Sequence, residues 1–132
     1  MKTLLLTLLM ATGTLLSQAQ DEQGNPPDEI VKYYFIELIT NPDKPELPKA
    51  QVDSIQREHM KNINQMVVDK QLMLAGPFEN GGGIFIVNVK TLEEAEALAA
   101  RDPAVKSGRL LTKVRPWYTT KGSFGIEFKK DN

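Results

Sequence analysis

The chain has 132 residues, of which 25% are charged, and its 16 Lys and Arg against 17 Asp and Glu leave a formal net charge of -1. This length suits one small domain, and the balanced charge gives no sign of the clustered basic surface that nucleic-acid binding needs. No cysteine is present, which excludes disulfides, thiolate catalysis and Cys-ligated metal sites.

The first segment predicts an export signal rather than part of the fold. Lys2 gives it a positive start, an uncharged Leu-rich run follows, and Ser17-Gln18-Ala19 offers small residues for cleavage. We therefore expect a signal peptide at residues 1–19 and export to the periplasm or the extracellular space. The apolar run is shorter than the roughly 20 residues of a membrane span, so no stable span is expected after cleavage. An uncleaved anchor is the alternative. Residues 20–30 predict a polar linker.

The next elements follow from hydrophobic spacing. Residues 31–39 are rich in β-forming side chains and predict a strand, and the Pro-rich segment 41–48 predicts a loop. Apolar residues at helical spacing predict a long helix over 49–70, with polar residues such as Asn62 on its outer face. Two short strands, separated by a glycine-rich turn, predict a β-hairpin over 72–89.

Thr91 and Glu94 have the spacing of a capping box and begin a second helix, which ends at Asp102-Pro103. A short turn or helical stub follows, and alternating side chains over 110–117 predict the last strand. Beyond it the chain becomes polar and contains glycine, so we expect a flexible tail at residues 119–132.

The order β-α-β-β-α-β predicts a ferredoxin-like α+β fold, an antiparallel sheet with two helices on one face. The other face needs a cover, and a second copy of the same sheet would supply it. We therefore expect a homodimer of the dimeric α+β barrel type. Self-association would also help a small domain that has no disulfide.

His59 is the only histidine of the chain and falls on the apolar face of the first helix, with Ile55 one turn before it and Ile63 one turn after. A half-buried imidazole needs partners for its ring nitrogens, and Asp102 is the partner that we expect. Such a pair moves protons near neutral pH, with His59 as general base or acid and Asp102 fixing its tautomer. The alternatives are a core histidine and an ordinary aspartate before proline.

Several segments occur in an order that carries a family resemblance. They are the apolar first strand, the helix with His59, Ala75-Gly76-Pro77, the helix end Ala100-Arg101-Asp102-Pro103, and Ser107-Gly108. Together, over residues 31–118, they resemble the YciI-like (YCII-related) domain family. The resemblance implies a ferredoxin-like α+β domain that dimerises, with a site in which His59 faces Asp102.

The same resemblance implies a range of chemistry rather than one substrate. One branch of that family removes chloride from a chlorinated hydroxyquinol, so lyase, isomerase or dehalogenase chemistry on a small molecule is implied. Members often carry an Arg one helical turn before the His. Ile55 and Gln56 stand there in this chain, and Arg57 lies further around the helix.

A non-catalytic module that binds a small ligand, or a purely structural dimer, is the second hypothesis. No metal or other cofactor is expected, because one histidine and scattered carboxylates do not supply the usual zinc set. Ser107 precedes a glycine and is predicted to be a turn residue rather than a nucleophile. Glu37 stands among aromatic residues, and the sequence leaves open whether it points to the rim or into a pocket. Packing is the predicted role of the strand aromatics, Tyr33, Phe35 and Trp117.

Overall fold

The computed structural model describes residues 29–124, and its elements follow the predicted β-α-β-β-α-β order, with the expected turn or stub before the last strand present as a short helix. The signal peptide expected at 1–19, most of the expected linker and the end of the expected tail lie outside the described residues. In chain order the elements are β1 (Ile30–Thr40), α1 (Lys49–Val68), β2 (Leu72–Pro77), β3 (Gly83–Val87), α2 (Leu92–Ala100), α3 (Pro103–Lys106) and β4 (Leu110–Thr120).

The four strands form one antiparallel sheet in the order β2-β3-β1-β4. β1 pairs with β4 along its whole length, from Ile30 opposite Thr120 to Thr40 opposite Leu110. On its other side β1 pairs with β3, and β3 pairs in turn with β2, its partner in the hairpin. This strand order, with the helices on one side, is the predicted ferredoxin-like α+β fold.

Alternation along the strands separates a covered face of the sheet from an uncovered one. Tyr34, Ile36 and Leu38 of β1 are buried, whereas the residues between them are not. They share a core cluster with Met66 of α1 and Leu98 of α2, because successive strand side chains point to opposite faces. The helices therefore lie on the face that carries Tyr34, Ile36 and Leu38.

The hairpin between β2 and β3 is confirmed and depends on glycine. The N–H of Phe78 donates to the carbonyl of Gly82 at 3.2 Å. Gly82 has a φ of +74°, and a Cβ there would collide with the backbone carbonyl of Leu38. Glycine meets both demands, the left-handed backbone and the close approach of the turn to β1.

Two element ends differ from the prediction. The sequence predicted that the first helix runs to residue 70, but α1 ends at Val68. Two residues later, Lys70 adopts a left-handed backbone conformation with a φ of 57°. The N–H of Gln71 bonds the carbonyl of Met66 at 2.9 Å, as in a Schellman motif, here with Lys70 at the position that glycine usually fills. β4 in turn continues through Thr120, two residues into the expected tail, because β1 pairs with it there.

The helix cap at Thr91 is confirmed with a change of detail. The Thr91 hydroxyl accepts from the N–H of Glu94 at 3.1 Å, but the Glu94 carboxylate accepts from the N–H of Lys90 at 2.8 Å rather than from Thr91 itself. The reciprocal bond of the box is thus displaced by one residue. Within residues 29–124, no helix combines the length and hydropathy that crossing a bilayer requires.

Candidate functional site

The structure brings His59 and Asp102 together. His59 lies in the middle of α1, and its Nδ1 is 2.9 Å from Oδ1 and 2.8 Å from Oδ2 of Asp102, 43 residues away in the chain. The carboxylate is fully buried, and the imidazole is 12% exposed. The pair is therefore buried on the side of the carboxylate and partly open on the side of the imidazole.

The turn between α2 and α3 explains the position of Asp102. Pro103 cannot continue α2, yet it suits the first position of the next helix, so α3 begins immediately after Asp102. Asp102 is the N-cap of α3, and its Oδ1 accepts from the N–H of Ala104 at 2.9 Å. It is therefore both the helix-end residue of the alternative interpretation and the partner of His59.

Asp102 stays ionised although it is buried. Burial alone raises the pKa of this carboxyl, but the hydrogen bond and charge of His59 oppose it, together with hydrogen bonds from Ala104 and Asn62. The result is a pKa below the ordinary value of 3.8. Because a carboxylate only accepts hydrogen bonds, it fixes the proton of neutral His59 on Nδ1 and leaves the lone pair on Nε2.

Asn62 is a site residue that the sequence interpretation missed. It was placed on the outer face of the helix, which is wrong: its Nδ2 donates to Oδ2 of Asp102 at 2.9 Å. Arg101 holds the other end of the amide, since its Nε donates to Oδ1 of Asn62 at 3.2 Å. The signal was the spacing, because residues three apart on a helix share a face, and Asn62 follows His59 by three.

Two clefts meet at His59. The larger cleft, of about 380 Å³, is mostly apolar, and the smaller cleft, of about 190 Å³, is mixed. His59 and Gln56 line both of them. The larger cleft is further lined by Met60, Ile63, Ala75, Phe85 and the backbone of the β2–β3 turn. The smaller cleft is further lined by Thr40, Lys44, Val52, Ile55, Ala104, Arg109 and Leu110.

The aromatic wall of the larger cleft orients the imidazole. The rings of His59 and Phe85 lie 6.1 Å apart between centroids, with 24° between their planes. Phe85 is buried at 2% exposure in β3, so it is a fixed support. With Nδ1 held by Asp102 and one ring face against Phe85, Nε2 is the ring nitrogen left for a bound molecule.

The remaining candidates from the sequence lie elsewhere. Glu37 points to the uncovered face of the sheet, 3.8 Å from the guanidinium of Arg115. Ser107 donates its hydroxyl to the carbonyl of Ala104 at 3.0 Å, as a turn residue does. Tyr33 and Trp117 pack against each other, with ring centroids 6.5 Å apart. None of these four is among the described residues that line the two clefts.

Metal ligands are not grouped in the part of the chain that the structure describes. No set of three or more His, Asp or Glu side chains between residues 29 and 124 is arranged to hold a metal ion.

Comparison with known proteins finds relatives of this chain. A model of the YCII-related domain matches residues 34–118. The uncharacterized protein YjpA of Bacillus subtilis (strain 168) is 30% identical over 60 residues, which span 45% of this chain and 71% of YjpA. Among solved structures, 5-chloro-2-hydroxyhydroquinone dehydrochlorinase (TftG) of Burkholderia phenoliruptrix AC1100, in complex with 2,5-dihydroxybenzoquinone, is similar with a TM-score of 0.51 and 18% identity. That match covers 64% of this chain and 92% of TftG.

Proposed function

The chain belongs to the YCII-related domain family, and from this membership and the site geometry we propose that it is an enzyme that transfers a proton to or from a small molecule. His59 is the general base or acid, acting through Nε2. Asp102 keeps the Nδ1–H tautomer in place and stabilises the imidazolium that forms after proton uptake.

The observation that carries this proposal is the division of the imidazole between two environments. Nδ1 lies 2.8 Å from a fully buried carboxylate, while the ring borders two open clefts. A histidine that served only to fill the core would need neither a buried carboxylate partner nor access to an open cleft. A base must instead be within hydrogen-bond reach of the proton that it abstracts, and the clefts give a substrate that access.

The reaction class proposed is lyase, isomerase or dehalogenase chemistry of the kind in which a proton is removed from or added to an acidic position of the substrate. The similar structure TftG is by name a dehydrochlorinase, and it was solved with a quinone bound. At 18% identity this likeness supports the fold. Proton transfer at a small cyclic or enolisable molecule is the part of that chemistry that His59 and Asp102 are equipped to do.

A second candidate function is ligand binding without turnover. The observation that favours it is the apolar lining of the larger cleft, where Met60 is 46% exposed. Predominantly apolar pockets with a few polar groups are typical of small-ligand sites in general. In that case the His59–Asp102 pair only orients the ligand.

We also propose the setting in which the domain works. A homodimer would form through the uncovered face of the sheet, where Leu111 is 46% and Ile39 is 39% exposed. Export remains a proposal that rests on the sequence of residues 1–19, ahead of a domain at 31–118.

The experiment that tests the catalytic proposal reads the tautomer of His59. It is the only histidine, so its ring nitrogens give isolated signals in ¹⁵N NMR. We expect the Nδ1–H tautomer in the unaltered protein. In Asp102→Asn, the amide oxygen is needed by the N–H of Ala104, which turns the amide NH₂ towards Nδ1 and drives the proton to Nε2. Loss of the Nε2 lone pair should then weaken base catalysis.

Activity is measured as uptake of deuterium from D₂O into a panel of enolisable ketones, acids and phenols. Both Asp102→Asn and His59→Gln should lower the exchange rate by about 10²-fold or more. Asp53→Asn, on the same helix and bonded to Lys49, is the matched control and should change neither tautomer nor rate. An Nε2–H tautomer in the unaltered protein, or one that Asp102→Asn leaves unchanged, would contradict the proposal.

A further inference from the structure

The smaller cleft carries two cationic side chains and no anionic one. They are Lys44, in the loop after β1, and Arg109, which directly precedes β4. Both line this cleft beside His59. None of its described lining residues is a carboxylate. In a chain with a net charge of -1, this is a local excess of positive charge next to the candidate base.

Neither cation is paired with a carboxylate of the described residues. Within residues 29–124, the side chains of Lys44 and Arg109 form no ion pair, although four other Lys and Arg side chains and His59 do. A guanidinium that lines a cleft without a carboxylate is available to an anion from outside. The Thr40 hydroxyl and the Gln56 amide lie in the same lining and add neutral polar groups.

Asn41 holds the two cation-bearing loops together. Its Nδ2 donates to the carbonyl of Gly108 at 2.7 Å, and its N–H donates to the carbonyl of Arg109 at 3.0 Å. The carbonyl of Asn41 in turn accepts from the N–H of Lys44 at 3.2 Å. These bonds tie the main chain at Lys44 to the main chain at Arg109, so both residues are held at the rim of the same cleft.

The larger cleft has the opposite character. It presents Met60, Ile63, Ala75 and Phe85, and its volume of about 380 Å³ accommodates a molecule of ring size. His59 and Gln56 stand where the two clefts join. A single ligand can thus lay an apolar body against Phe85 and extend a charged group past His59.

We infer that the site takes a small organic monoanion, a planar apolar body bearing one carboxylate or phenolate. The oxyanion of the ligand lies between Lys44 and Arg109, and its planar body fills the larger cleft. The part of the ligand that joins the oxyanion to the body then faces Nε2 of His59. This inference rests on the proposed function and adds the substrate class. Arg57 lines neither of the two clefts, so the anion contact comes from Lys44 and Arg109.

The test compares benzoate with its neutral analogue benzamide, using the NMR signals of the single histidine to follow binding. We expect benzoate to bind more tightly. In the double variant Lys44→Gln/Arg109→Gln, affinity for benzoate should fall by about tenfold or more, as for the loss of charge-assisted hydrogen bonds, and affinity for benzamide should not change. The matched control is Lys106→Gln/Arg57→Gln, which removes two cations that line neither cleft and should keep the preference.

A second variant tests whether the apolar body of the ligand occupies the larger cleft. Ala75 pairs with Phe85 across the β2–β3 ladder and shares its face of the sheet, so Ala75→Phe should fill the larger cleft and weaken benzoate and benzamide alike. No preference for benzoate, or a preference that survives in the double variant, would overturn the inference. Such a result would leave the proposed function standing if the His59 tautomer still depends on Asp102. A tautomer independent of Asp102 would instead remove the proposed function, whatever benzoate does.

Discussion

At the scale of single residues, the hydrogen bonds of Asp102 explain how the site holds a buried charge. Its carboxylate is fully buried and accepts from His59, Asn62 and the N–H of Ala104. A buried charge without such partners would cost several kcal/mol, or would be neutralised by a shift of its pKa. Here the hydrogen bonds offset the loss of hydration, so the site keeps a fixed negative charge behind the imidazole.

This arrangement predicts how stability depends on pH. The pKa of Asp102 is lower in the folded protein than its ordinary value of 3.8. As pH falls, the unfolded chain therefore takes up this proton first. The stabilisation by ionised Asp102 is complete above about pH 4 and is lost as pH drops further through the folded pKa.

Urea denaturation between pH 7 and pH 3 measures this contribution. Asp102→Asn should lower the free energy of unfolding by about 1–3 kcal/mol at neutral pH, and the difference from the unaltered protein should shrink towards pH 3. Asp43→Asn, an exposed loop carboxylate, serves as the control and should give no such convergence. A difference that stayed constant across the range would mean that the folded pKa of Asp102 is not lowered.

At the scale of elements, α1 is joined to the α2–α3 junction by a short polar network. Arg101, the C-cap of α2, donates to Asn62 of α1, and Asn62 donates to Asp102. Arg101 also reaches Gln71 at 3.3 Å, just before β2. Because Arg101 occupies the oxygen of Asn62, the amide nitrogen is directed to the carboxylate, and Asn62 acts as a positioning residue for the pair.

Alanine substitutions at two asparagines of α1 separate this role from helix propensity. Asn62→Ala should lower the free energy of unfolding by about 1–2 kcal/mol, since it removes a donor to a buried carboxylate. It should also lower kcat of any turnover that His59 supports. Asn64→Ala changes the same residue type two positions on, at an exposed site, and should stay within about 0.5 kcal/mol. Equal effects of the two variants would rule out a positioning role for Asn62.

The element order was predictable from the sequence, whereas several details were not. Periodicity and the Asp102-Pro103 step were sufficient to predict both long helices and the hairpin. The meeting of His59 with Asp102 was expected from the need of the imidazole for a partner and from the family resemblance. The end of α1 at Val68 was hidden, because Lys70 gives no glycine signal for a left-handed cap. Asn62 was assigned to solvent by polarity, although its spacing from His59 placed it on the buried side.

At the scale of the whole molecule, helices cover one face of the sheet and leave the other open within residues 29–124. The open face carries apolar residues of three strands, including Ile39 of β1, Leu74 of β2 and Leu111 of β4, which are 39%, 41% and 46% exposed. Glu37 and Arg115 lie on the same face. The smaller cleft, lined by Lys44 and Arg109, was beyond sequence reasoning, because it arises only when two distant loops are bonded through Asn41.

A second copy of the chain is the proposed cover for this face. Four strands at the usual spacing present roughly 500 Å² or more, which approaches one side of a standard interface. Charges of both signs beside apolar residues make the face self-complementary under a twofold axis, because Glu37 of each copy can meet cations of the other. An uncovered apolar sheet face would otherwise promote uncontrolled association.

Light scattering coupled to size-exclusion chromatography measures whether the protein is a dimer in solution. The unaltered protein should elute as a dimer, and Leu111→Glu should shift it to monomer, because burying an unpaired carboxylate at the interface costs several kcal/mol. Val68→Glu provides the matched control: Val68 is 72% exposed at the end of α1, in the helical layer, and its substitution should leave the dimer intact. Circular dichroism would verify that both variants are folded. A monomeric unaltered protein, or a dimer that tolerates Leu111→Glu, would exclude this face as the interface.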